Sequence, residues 1–122
     1  MSYRFGGFFA SAHALPALFS PTGDQPVTQV RLQAHTKADA DRWTLQFVNK
    51  SDEIVRQFGG QGVPPPHVLW DGKDANGLPL ADGVYRYQLV VYDREGRVLT
   101  DTTRSVEIST SGPQGAVPVQ VQ

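Results

Sequence analysis

With 122 residues the chain is long enough for one ordinary domain and too short for two independently cored ones. Eleven Lys and Arg against twelve Asp and Glu leave a formal net charge of −1, so no global pull towards nucleic acid or anionic lipid is expected; the lack of cysteine removes disulfides, thiolate catalysis and zinc–thiolate sites together. No run approaches the about 18 uninterrupted apolar residues of a membrane-spanning helix, and twelve glycines with nine prolines point to many turns between short strands.

Residues 1–19 are apolar and carry Phe5, Phe8, Phe9 and Phe19, but Gly6, Gly7 and Pro16 interrupt them, which suits neither a long helix nor a hairpin. Arg4 is a weak basic region and the apolar run is broken, which disfavours a targeting segment, although Ala10-Ser11-Ala12 has the small residues of a cleavage site. An edge strand or arm, lying on the domain or on a neighbour, is the better reading, because exposed aromatics would otherwise form an adhesive patch. Phe5, Phe8 and Phe9 are its candidate contact residues.

After the turn residues Ser20 to Asp24, Val30, Leu32 and Ala34 alternate with Arg31, Gln33 and His35, the two-residue period of a strand. Trp43, Leu45 and Phe47 repeat that period before the turn Asn49 to Asp52, and Ile54 and Val55 lead a third strand towards Phe58. Gly59 to Gly62 end that strand, and the run Pro64-Pro65-Pro66 cannot donate ladder hydrogen bonds, which predicts a loop across the sandwich. His67 to Trp70 forms a short strand, followed by the dense turn cluster Asp71 to Gly77. Val84 to Asp93 is the longest strand, with Tyr85, Tyr87, Leu89 and Val91 at one parity; Arg94-Glu95-Gly96 returns it into Arg97 to Asp101 and Ser105 to Ile108. The sequence therefore predicts an apolar N-terminal arm over 1–19, an all-β, antiparallel Ig-like β-sandwich of about seven strands over 20–108, and a flexible C-terminal tail over 109–122. In that tail Val117, Val119 and Val121 alternate like a further strand.

The search for chemistry finds little. His13, His35 and His67 lie in three separate segments, so no imidazole metal site is signalled. No serine sits in a Gly-x-Ser-x-Gly elbow and no helix opens with a glycine-rich loop, so no catalytic residues are expected and the chain is read as not an enzyme. Asp71, Asp74, Asn76 and Asp82 stand around Gly72, Gly77 and Gly83, and short oxygen side chains on a glycine-rich loop are candidate calcium ligands. With Asp74, Asn76 and Gly77 set in the helix–loop–helix calcium register, however, the first and last ligand positions fall on Gly72 and Gly83, which lack side-chain oxygens. A network of turns explains the same residues without an ion, and Asp24 is a further candidate ligand from another loop. Trp43, Trp70, Tyr85 and Tyr87 could stack on sugars, but their parity with aliphatic residues places them in the core; Tyr92 is the better surface contact.

The run Trp70-Asp71-Gly72-Lys73-Asp74-Ala75-Asn76-Gly77 through Asp82-Gly83-Val84-Tyr85-Arg86-Tyr87 strongly resembles the FlgD-type Ig-like domain of the flagellar hook-capping protein and its relatives in bacterial envelope and secreted proteins. That family carries W-D-G-x-D-x-x-G-x-x-x-x-D-G-x-Y-x-Y. Phe19-Ser20-Pro21-Thr22-Gly23-Asp24 resembles its F-S-P-N-G-D opening with Thr22 in place of Asn, and Asp52 to Gly59 resembles its G-x-x-V-R-x-F-x-G strand pair without a glycine in the turn. The resemblance covers about residues 19–108. It implies a non-catalytic structural or interaction module of a bacterial cell-surface or extracellular assembly, whose motif residues Trp70, Asp71, Gly72, Asp74, Gly77, Asp82, Gly83, Tyr85 and Tyr87 build a rigid corner. The expected partners are proteins, a second copy among them, engaged through Phe5, Phe8, Phe9 and Val117, Val119, Val121 by strand addition; nucleic acid is not expected. A carbohydrate- or calcium-binding accessory domain, contacting its ligand through loops 59–66 and 71–83, and a hook-capping scaffold domain are the alternatives.

Overall fold

The computed structural model describes residues 8–110. Among the described residues nine strands are formed: β1 (Phe9–Leu15), β2 (Leu18–Phe19), β3 (Thr28–His35), β4 (Ala40–Val48), β5 (Ile54–Gln61), β6 (His67–Trp70), β7 (Gly83–Asp93), β8 (Val98–Thr100) and β9 (Arg104–Ile108). They make two sheets, one ordered β1-β3-β6 and the other β2-β9-β7-β4-β5, with β8 also paired to β7. All pairings are antiparallel except β2 with β9, which run parallel.

Strict alternation drives both sheets together. Ala10, Ala12, Ala14, Val30, Leu32, Val68 and Trp70 point inward from the smaller sheet, and meet Phe19, Trp43, Leu45, Phe47, Tyr85, Tyr87, Leu89, Val91, Val106 and Ile108 from the larger one. The period of two leaves no freedom of register, because a slip by one residue would turn each of these faces into water. The architecture is the expected all-β, Ig-like sandwich, with nine strands rather than about seven. The two additional strands come from the segment read as an arm: β1 is the edge of the smaller sheet, and the chain then crosses to the larger sheet as β2, where Phe19 is fully buried. Small side chains explain why this segment carried little strand signal, since Ala10, Ala12 and Ala14 alternate inward without the bulk that marks a β face.

The small size of those alanines brings the outer edge of β1 within reach of the facing sheet. The Ala12 amide donates to Asp101 Oδ2 at 2.8 Å, and the Ala14 amide donates to the Tyr87 hydroxyl oxygen at 2.8 Å. Asp101 is itself buried and also accepts from the Thr102 amide at 2.7 Å and from Arg104 Nη1 at 2.7 Å. Burial pushes the Tyr87 hydroxyl above the ordinary phenol range, against the Ala14 hydrogen bond and the positive charge of Arg104, so it stays neutral in this role. Amides of an edge strand that would otherwise invite another chain are thus satisfied by side chains of the opposite sheet. Replacing Tyr87 by Phe keeps the ring and orphans the Ala14 amide. We expect Tyr87→Phe to lower the unfolding free energy by about 1–3 kcal/mol, read from urea midpoints, while Tyr92→Phe on the outer face shifts it by less than about 0.5 kcal/mol.

Candidate functional site

The motif residues converge on a corner where β6 leaves its sheet. Trp70 is fully buried and belongs to the smaller sheet, yet its indole is packed among rings of the larger one. It stacks on Phe47 with centroids 4.1 Å apart, meets Tyr85 edge-on at 5.8 Å, and lies tilted against Phe19 at 5.7 Å. Its only polar atom, Nε1, donates to the Lys73 carbonyl at 3.1 Å, so the ring fixes the start of the following loop as well as the core.

The loop then builds itself in short steps. Asp71 Oδ1 accepts the Lys73 amide at 3.1 Å. Gly72 takes a φ of +77°, and a Cβ there would stand 2.9 Å from Pro21 Cγ and 3.3 Å from Ile108 Cδ1; both the conformation and the close approach require glycine. The Gly72 carbonyl accepts the Leu80 amide at 3.0 Å, and Lys73 bridges Pro79. From β5, Arg56 Nη1 donates to the Asp74 carbonyl at 3.2 Å. The Tyr85 hydroxyl, raised above the ordinary phenol range by burial and then by the nearby Asp82 charge, donates to the Ala81 carbonyl at 2.5 Å. Asp82 closes the corner, accepting from the Thr110 amide at 2.9 Å and from the Thr110 hydroxyl at 2.7 Å.

Between Asp74 and Leu78 the chain adopts a five-residue loop that recurs twice elsewhere. Asp74 Oδ1 accepts the amides of Asn76 and Leu78 at 2.9 and 3.0 Å. Asn49 Oδ1 accepts those of Ser51 and Glu53 at 2.8 and 3.0 Å, and Asp93 Oδ1 those of Glu95 and Arg97 at 2.8 and 2.9 Å. In each copy the fourth residue donates its amide to the carbonyl of the first, and the first donates to the carbonyl of the fifth. The fourth residue has positive φ each time: +66° at Asp52, +82° at Gly77 and +85° at Gly96. A side-chain oxygen at the first position and a left-handed residue at the fourth are what such a turn demands. The Asn49 copy works with a neutral amide and closes the β4–β5 hairpin, and the Asp93 copy closes β7–β8. Burial opposes ionisation of Asp93, but the backbone donors from Arg97 and Glu95 and the Arg97 guanidinium hold its carboxyl below the usual carboxylate value of 3.8.

The structure thus brings Trp70, Asp71, Gly72, Asp74, Gly77 and Tyr85 together in one corner, with Asp82 and Gly83 on its return limb. Tyr87 stands apart, two residues further along β7, at the β1 edge. Asp71, Asp74 and Asp82 each turn to a different set of amides, and among the described residues no three His, Asp or Glu side chains are arranged to hold a metal ion. The Asn76 side chain is exposed. Asp24 lines a separate open cleft of about 590 Å³ with Leu18, Thr22 and Ser109. Trp43, Trp70, Tyr85 and Tyr87 are all core residues, and the half-buried ring of Tyr92 is covered by the Arg42 guanidinium, 3.8 Å from its centroid. Of the residues proposed for strand addition, Phe8 and Phe9 are half exposed at the start of β1; Phe5, Val117, Val119 and Val121 lie outside the described residues. The pin formed by Asp101 was not legible, because its partner amide lies 89 residues away; only the inward parity of Tyr87 hinted at the second pin.

No family model matches the chain, and no curated protein matches it. Among solved structures, dimeric latent PorU from Porphyromonas gingivalis is similar with a TM-score of 0.62 at 13% identity, over 85% of this chain and 10% of that one. PorZ of the same organism, described as an essential bacterial surface component of the type-IX secretion system, gives 0.49 at 16% identity over 80% of this chain and 11% of that one. CopC from Methylosinus trichosporium OB3b gives 0.48 at 15% identity over 84% and 93%. The chain therefore spans about a tenth of the length of the first two, and the likeness to PorU shows the β-sandwich fold.

Because Asn49 performs the work of Asp74 with an amide, charge is dispensable at this position. We expect Asp74→Asn to change stability by less than about 0.5 kcal/mol and Asp74→Ala to cost about 1–2 kcal/mol through loss of both amide acceptors, measured by chemical denaturation with and without calcium.

Proposed function

We propose that this chain is a non-catalytic Ig-like module of the FlgD type, serving a structural and interaction role in a bacterial cell-envelope or extracellular assembly. The observation that carries this reading is the use made of the signature residues. Trp70 fills the space between the sheets, Asp71 and Asp74 hold loop amides, Gly72 admits Pro21 and Ile108, Tyr85 ties the return limb, and Asp82 anchors Thr110. Groups held in this way build a corner; they leave no nucleophile beside a base and no converging set of charges for chemistry. The corner folds on its own hydrogen bonds and calls for no cofactor. The envelope or extracellular setting rests on the sequence resemblance, and the likeness to a tenth of PorU supports a fold that can serve as one segment of a much longer protein.

Association with protein partners, including a second copy, follows from the half-exposed Phe8 and Phe9, which lead into the edge strand β1. Aromatic rings at the mouth of an edge strand supply apolar contact area to a neighbouring chain. Light scattering behind size-exclusion chromatography, across a concentration series of the intact chain, tests this. The expected result is a mass that rises above 13.4 kDa with concentration and falls back when Phe8 and Phe9 are both replaced by Ser or residues 111–122 are removed. A constant 13.4 kDa at every concentration would overturn self-association.

A further inference from the structure

The three histidines of the chain, scattered in sequence, lie on one surface. His13 on β1, His35 on β3 and His67 on β6 all have outward parity in the smaller sheet, and all are exposed. In the ladder His13 pairs with Arg31 and Arg31 with His67, so the three form a single row across the strands. His35 stands on the same face one turn of the pleat beyond Gln33, opposite Phe9, with the Phe8 ring stacked on its imidazole at 5.5 Å. The rest of this face is Phe9, Ser11, Leu15, Gln29, Gln33 and Leu69. None of β1, β3 and β6 contains a carboxylate.

We propose that this outer face of the β1-β3-β6 sheet is a pH-gated docking surface for an acidic polysaccharide. Neighbouring strands lie about 4.8 Å apart, so protonation of His13 and His67 sets three cations side by side, an arrangement that is destabilising unless an anion spans it. The fold supplies no such anion: among the described residues no hydrogen bond or ion pair engages the three imidazoles, and Arg31 reaches only Gln29 Oε1 at 3.5 Å. The charged groups that meet these strands from the other sheet, Asp101 and Arg104, lie at the outer edge of β1, where Asp101 accepts the Ala12 amide, and pair with each other. Imidazole is the side chain whose charge changes between about pH 5 and 8, and three of them share this face with the permanent cation of Arg31.

The shape selects a polymer carrying repeated anions over a small anion. The basic side chains stand at exposed positions along a row across the strands, which suits a polymer with spaced anions. Gln29, Gln33 and Ser11 offer donors and acceptors for hydroxyls between the charges. At the His35 end the face opens into a groove of about 670 Å³ lined by Phe9, Val63, Pro64 and Pro66, an apolar floor for the carbon face of a sugar ring.

Calorimetric titration of the full chain with polygalacturonate, at about pH 5.5 and about pH 7.5, tests it, with neutral dextran and phosphatidylglycerol–phosphatidylcholine vesicles as comparisons. The expected result is binding to polygalacturonate at least about tenfold tighter at the lower pH, weakened by salt, with none to dextran or vesicles. The double variant His13→Gln/His67→Gln, whose positions are exposed and whose melting temperature at the higher pH should be unchanged, is expected to lose the pH gain. Arg31→Gln is expected to weaken binding at both pH values. No binding, binding independent of pH, a pH gain retained in the double variant, or binding to vesicles alone would each overturn the proposal.

Discussion

The position of one indole ring is the constraint on which the rest of the molecule depends. Trp70 belongs by its backbone to the three-stranded sheet and by its side chain to the other, with Phe47, Tyr85 and Phe19 around it. A ring of this size bridges the gap between two packed sheets and buries a large apolar area in one step. Its Nε1 cannot remain unpaired there, and the nearest acceptor, the Lys73 carbonyl, is supplied only if the chain turns sharply after β6. The demand for that acceptor explains why the loop begins as it does, and the contact of Gly72 with Pro21 and Ile108 explains why it then lies against the Ser20–Pro21 turn.

The remaining polar side chains of the motif follow a common physical logic. Backbone amides in tight turns need acceptors, and an Asp or Asn at the first position of a five-residue loop supplies them. Three loops in the chain use this solution at Asn49, Asp74 and Asp93. Two of them close hairpins, and the third sits in the signature. The Asp74 loop makes the same hydrogen bonds as its two counterparts, and the carboxylates around it stand in successive turns. Asp101 applies the same chemistry at longer range by holding the outer edge of β1. Asp71, Asp74, Asp82, Asp93 and Asp101 all accept backbone amides, whereas strands β1, β3 and β6 carry no carboxylate.

Most of β3 to β9 and the core were legible because bulky β-branched and aromatic residues alternate with polar ones, a signal that needs no tertiary information; β5, however, runs on through Gly59, Gly60 and Gln61, paired with Thr44, Trp43 and Arg42, where the glycines suggest its end. The corner at 70–85 was legible for a different reason, since its turns are local and their residues lie within a few positions of one another. The N-terminal segment was harder. Alanine marks an inward position only when another sheet lies close enough to exclude anything larger, so the segment read as an edge strand or arm whose partner strand, β3, was not indicated. Asp52 also escaped notice: it occupies the left-handed position that glycine takes in the sister loops, and the missing glycine read only as a departure from the family pattern. The meeting of His13, His35 and His67 could not be inferred from their spacing, because strand order and register decide which segments become neighbours. Their shared outward parity was the one available hint.

The central claim is that the loop from Asp71 to Asp82 is held by its own hydrogen bonds and serves as a structural corner. Amide hydrogen exchange, followed residue by residue by NMR in EDTA and again in excess calcium, tests it most directly. The account predicts that the amides of Lys73, Asn76, Leu78 and Leu80, each bonded within the loop, are protected in EDTA and exchange at the same rates after calcium is added. Exchange at free-peptide rates in EDTA, with protection arising only when calcium binds, would contradict it and make the corner an ion site.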